Sequence, residues 1–106
     1  MIKAFISQPM KGLSNEQIFK ARTEAFRGIR KKLGPDSPVY VIGSLYDDGV
    51  VGPSGVKNPS LWYLGETIKM MADADAAYFS DGWKNARECI IEHEVCRLCG
   101  IDIIKD

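Results

Sequence analysis

The sequence predicts an α/β fold built on one four-stranded parallel sheet, strand order 2-1-3-4, with helices on both faces. Two observations carry this reading. Short apolar runs at Ile2-Ile6, Val39-Ile42, Ala76-Phe79 and Ile101-Ile104 read as buried strands. Between them lie segments whose apolar residues recur at helical spacing, and strands separated by helices pair in parallel through crossovers. With 106 residues, one domain spanning 1–106 is expected. The order 2-1-3-4 places the reversal of winding between strands 1 and 3. The loops after those strands, 7–13 and 81–85, then flank a single crevice of the kind that binds ligands in open α/β sheets.

Each element has its own signal. The first strand ends at Ser7-Gln8-Pro9, where proline withholds a donor. Ser14 with Gln17 forms a capping box that opens a helix over about 15–33, with Ile18, Ala21, Ala25, Ile29 and Leu33 toward the sheet. Arg30, Lys31 and Lys32 suit the carboxyl end of that helix dipole and read as a solvated face. Gly34-Pro35-Asp36-Ser37-Pro38 is a turn into the second strand. The Gly-, Asp- and Pro-rich segment from Gly43 to Pro59 is long enough for an irregular loop to be functional, and a lid is one reading. Ser60 is the expected cap of a helix over 61–72, followed by a third strand over 75–80. A helix from Lys84 to Cys99, stopped by Gly100, precedes the fourth strand.

Composition excludes several classes. Fourteen basic and fourteen acidic residues balance, so no overall field draws the chain to polymeric nucleic acid or to a membrane surface. Cys89, Cys96 and Cys99 are odd in number and share one predicted helix, which suits reduced thiols in a cytoplasmic protein. His93 is the single histidine and the cysteines lack finger-type spacing, so no metal is expected. The amino-terminal apolar run is too short for a signal peptide, and no apolar stretch is long enough for a membrane span.

The richest stretch is Gly82-Trp83-Lys84-Asn85-Ala86-Arg87-Glu88-Cys89-Ile90-Ile91-Glu92-His93-Glu94-Val95. It puts two carboxylates, Glu88 and Glu92, one helical turn apart at the carboxyl edge of the sheet. Ile91, Val95 and Leu98 are read as the core stripe, with Glu88 within it and Glu92 at its border. In that place Glu88 looks into the crevice and Glu92, deeper, loses solvent, which raises a carboxyl pKa. Spacing alone favours surface pairs, Glu88 with Lys84 and Glu92 with Arg87 or Lys84. Lys11-Gly12 offers an ammonium and an open backbone to an anion, although neither a dinucleotide fingerprint nor a P-loop is present. Trp62, Tyr63 and Trp83 flank the same edge, as stacking platforms or as packing.

The segments Phe5-Ile6-Ser7-Gln8-Pro9-Met10-Lys11-Gly12 and Ala74-Asp75-Ala76-Ala77-Tyr78-Phe79, continued through Gly82-Trp83 to Ala86-Arg87-Glu88-Cys89-Ile90-Ile91-Glu92, resemble the nucleoside 2-deoxyribosyltransferase superfamily. More closely, they resemble a group of small uncharacterised, phage-associated members. The resemblance implies a flavodoxin-like (Rossmann-like) three-layer α/β/α fold and cleavage of an N-glycosidic bond by a helix glutamate, without metal or cofactor. It places Glu92 at the nucleophile, Lys11 at a phosphate-touching position and Asn85 and Arg87 beside the sugar or phosphate. Ser7, Gln8, Pro9, Met10, Lys11 and Gly12, with Trp83, Asn85 and Arg87, are the expected substrate contacts.

This chain departs from the family's pattern at several points. Thr67, with Glu66 beside it, stands where an aspartate assists the leaving base. Gln8 replaces a loop glycine, Phe5 a tyrosine and Glu88 a glycine. Glu88 or Glu66 is then the expected acid. The expected activity is hydrolysis or transfer on a nucleoside, nucleotide or related N-riboside, and the rival is a silent nucleotide-binding protein with the same crevice. A homodimer through Trp62, Tyr63 and Leu64 is also expected.

Overall fold

β1 (Ile2–Ser7) lies at the centre of the sheet, between β2 (Val39–Gly43) and β3 (Ala76–Phe79), in a computed structural model that describes residues 1–43 and 55–105. β4 (Asp102–Ile104) pairs with the outer side of β3. All three pairings are parallel and the order is β2-β1-β3-β4, with Ala4 opposite Val41 on one side and Ala76 on the other. The segment read as a lid falls largely outside the described residues.

Side chains alternate along β1 and so serve two cores. Ala4 and Ile6 meet Ala25 and Ile29 of α1 (Asn15–Leu33), which covers one face. On the other face Phe5 joins Ile42, Ala77, Met71 of α2 (Pro59–Met71) and Cys96 of α3 (Arg87–Cys99). The result is a three-layer α/β fold. No helix among the described residues is long and apolar enough to cross a membrane.

The capping box at the start of α1 is complete, with Gln17 N donating to Ser14 Oγ at 3.1 Å and Ser14 N to Gln17 Oε1 at 2.8 Å. Gly28 sits mid-helix, where glycine costs about 1 kcal/mol relative to alanine. Its reason is Tyr78 of β3, whose hydroxyl would lie 2.7 Å from a Cβ at that position. The missing side chain lets the phenol ring pack directly under the helix backbone.

Four sequence expectations are corrected. Asn58, not Ser60, caps α2: its side chain accepts from Leu61 N at 3.1 Å, and Pro59 at the first helical position needs no acceptor. The last helix does not start at Lys84. Trp83–Asn85 is one 3-10 turn, Ala86 is extended (φ −115°, ψ 118°), and α3 begins at Arg87. Gly82, at φ 85°, allows the tight turn that sends the chain from β3 into that 3-10 turn. The inward face of α3 is also rotated from the stripe expected: Cys89, Glu92 and Cys96 are buried, Ile91 and Val95 are half-buried, and Leu98 is 69% exposed. On α2, Leu64 is buried against the domain, so it is unavailable to the interface expected of it, while Leu61 is exposed.

Candidate active-site cleft

An open cleft of about 570 Å³ lies at the carboxyl edge of the sheet, between the loops that follow β1 and β3. Pro9, Met10 and Lys11 form one wall. Asp81, Gly82, Asn85 and the start of α3, with Ala86, Arg87 and Glu88, form the other. Segments some seventy residues apart therefore meet where the winding of the sheet reverses, as a doubly wound order requires.

Of the residues singled out in the sequence, Pro9, Met10, Lys11, Asn85, Arg87 and Glu88 line this cleft. Ser7, Gln8, Gly12, Trp83 and Glu92 do not, and each has another place. Gln8 is 3% exposed and ties the loop to α1, its Nε2 donating to Ile18 O at 3.0 Å and its Oε1 accepting from Arg22 Nε at 2.9 Å. Gly12, at φ 80°, follows Lys11 in the turn that returns the chain to α1. Trp83 stacks on His93 with ring centroids 4.2 Å apart and planes 10° apart, and Phe79 meets the edge of His93 at 4.9 Å. Glu66 pairs with Lys69 at 3.0 Å, and Thr67 donates to Tyr63 O at 3.0 Å.

Glu92 is the distinctive group. Its carboxyl is 2% exposed and accepts a 2.6 Å hydrogen bond from Ser7 Oγ at the end of β1. Burial pushes its pKa up from 4.5 to about 7, the Ser7 hydrogen bond opposes that rise, and the charge of Glu88 adds to it. Cys89, beside the same hydroxyl, is pushed up to about 11, chiefly by burial. It is a buried, protonated thiol. Glu88, one turn toward the cleft, pairs with Arg87 at 2.9 Å; the pair is 64% and 39% exposed and contributes little to stability.

The arrangement is a solvent-open cleft with exposed charges and, one helical turn deeper, a desolvated carboxyl tuned to the neutral range. Such a carboxyl suits covalent or acid–base chemistry once it faces a substrate. Asp81 lines the cleft without any sequence signal, because a lone aspartate after a strand has no motif. Ser7, expected among the substrate contacts, is instead the partner of Glu92. Among the described residues, no group of three or more His, Cys, Asp and Glu side chains is placed to hold a metal ion.

Fold and cleft together define a doubly wound α/β protein with an open cleft at its switch point. No family model, no curated protein and no solved structure matches the chain.

Proposed function

We propose that the cleft binds a nucleoside, nucleotide or related N-riboside and that Glu92 cleaves its N-glycosidic bond, by hydrolysis or by transfer to another base. The observation that carries this reading is the Ser7–Glu92 pair, a buried carboxyl held at 2.6 Å directly behind the cleft wall that carries Glu88. The resemblance to the deoxyribosyltransferase superfamily points to the same residue. As carboxylate, Glu92 attacks the anomeric carbon and the base departs with the electron pair of the broken C–N bond. Water or a second base then attacks the glycosyl ester and restores the carboxylate. Lys11 and Arg87 attract the anionic part of the ligand, and Asn85 offers its amide to the sugar.

A second reading is binding without turnover. It is favoured by the burial of Glu92, which does not line the cleft and reaches a substrate only after local rearrangement. One experiment separates the two. Wild-type protein and Glu92→Gln are incubated with nucleosides and nucleoside monophosphates, with free base followed by chromatography and binding by thermal shift. Base release by the wild type that Glu92→Gln loses supports the enzyme. Stabilisation by ligand with no release from either supports the binder.

A further inference from the structure

We infer that the cleft is built for an N-riboside whose base carries a positive charge, such as a pyridinium or an N7-alkylated purine; this rests on the glycosidic reading above. Beside the exposed Arg87–Glu88 pair, whose net charge is zero, the described residues of the walls carry Lys11 on the loop after β1 and Asp81 on the loop after β3. Both are exposed, and neither is in an ion pair with another described residue. The cleft thus presents a cation from one wall and an anion from the other. A ligand with a phosphate at one end and a cationic ring at the other matches both charges, whereas an uncharged base would partly desolvate Asp81 without giving it a partner.

The chemistry of departure points the same way. When a neutral base leaves, the electron pair of the C–N bond falls on the ring nitrogen and a proton must be supplied there. Among the described residues no carboxyl is held in place to supply it. Glu88 is held by Arg87 at 2.9 Å, and Asp81 stands in open solvent. Glu66 is paired with Lys69, Thr67 donates to Tyr63 O, and Glu92 is the attacking group. A cationic base needs no donor. The electron pair of the broken bond cancels the ring charge and the base leaves neutral, while the Glu92 oxygen forms the new bond to the anomeric carbon. Water then attacks that carbon, frees the carboxylate and sheds one proton to solvent.

Two matched pairs test this inference: nicotinamide mononucleotide against its uncharged dihydro form, and N7-methylguanosine monophosphate against guanosine monophosphate. Affinity is measured by calorimetry and base release by chromatography, each corrected for the uncatalysed rate, for wild type and Asp81→Asn. The expected result is tighter binding and base release for the charged member of each pair. Asp81→Asn should weaken charged ligands on the order of fivefold and leave uncharged ones no weaker, or slightly tighter. Equal or better cleavage of the uncharged members overturns the inference and leaves the glycosidic reading standing. Binding of charged members with no release of any base overturns both. Indifference of the charge preference to Asp81→Asn overturns the inference as well.

Discussion

The Ser7 hydroxyl donates a 2.6 Å hydrogen bond to Glu92 across 85 residues of sequence, joining the end of β1 to the second turn of α3. Both residues are buried, so this bond is what partly offsets the cost of a charge at Glu92. Ser7→Ala should therefore move the Glu92 pKa further up from about 7. Any activity that needs the carboxylate would have its acid limb displaced to higher pH. Carbon-13 NMR titration of the Glu92 carboxyl in both proteins measures the shift without requiring a substrate. A hydrogen bond to a charged group contributes about 1.5–3 kcal/mol, so the loss of stability should be larger at pH 8 than at pH 5.

Glu92 itself makes folding depend on pH. Its pKa is raised in the folded state, so the native protein keeps a proton that the unfolded chain releases. Stability should fall as pH rises from about 4.5 to about 7 and then level off. That displacement corresponds to roughly 3 kcal/mol. Glu92→Gln cannot ionise, and its amide oxygen can still accept from Ser7. It should match the wild type near pH 4 and exceed it in denaturant midpoint at pH 8, while base release falls on the order of a thousandfold or more. Identical pH–stability curves for the two proteins would show that Glu92 does not titrate in this range.

Gly28→Ala should destabilise the protein in spite of alanine's helix preference. A Cβ there would meet three atoms of the Tyr78 ring and hydroxyl at 2.7 to 2.8 Å. Overpacking of this kind costs about 1–3 kcal/mol, more than the roughly 1 kcal/mol that alanine restores to the helix. Thermal unfolding of the variant checks the sign.

Assembly is open to a direct test. Leu61, 59% exposed, adjoins Trp62 and Tyr63, which meet edge to face with ring centroids 5.0 Å apart on α2. A homodimer through this face should appear in light scattering at micromolar concentration, and Leu61→Glu should convert it to monomer.

The sheet was legible because β-branched and aromatic runs with turn residues between them leave few alternatives in so short a chain. The order followed from the rules of crossover connection, and α1 from a capping box written in two residues. The site was legible only in outline. Loops 7–13 and 81–85 converge as the topology demands, yet spacing could not show that Gln8 turns away to Arg22, or that Trp83 stacks on His93. The rotation of α3 is not legible in the sequence, because large aliphatics ordinarily mark the inner face of a helix. Cys89 and Cys96 occupy it instead, small enough to bring the helix close to the sheet. With that rotation Glu92 passes from the border of the buried stripe to its middle. Contacts between residues distant in sequence, Ser7 with Glu92 above all, have no local signature.

The stack of Trp83 on His93, with Phe79 at its edge, ties β3, the 3-10 turn and α3 into one mechanical unit. The wall that carries Asn85, Ala86 and Arg87 is thus preorganised: a ligand that docks against it spends little of its binding energy ordering backbone. Association with this wall should therefore be governed by encounter and charge rather than by a slow conformational step, and the same rigidity leaves the indole unavailable as a platform for a planar ring.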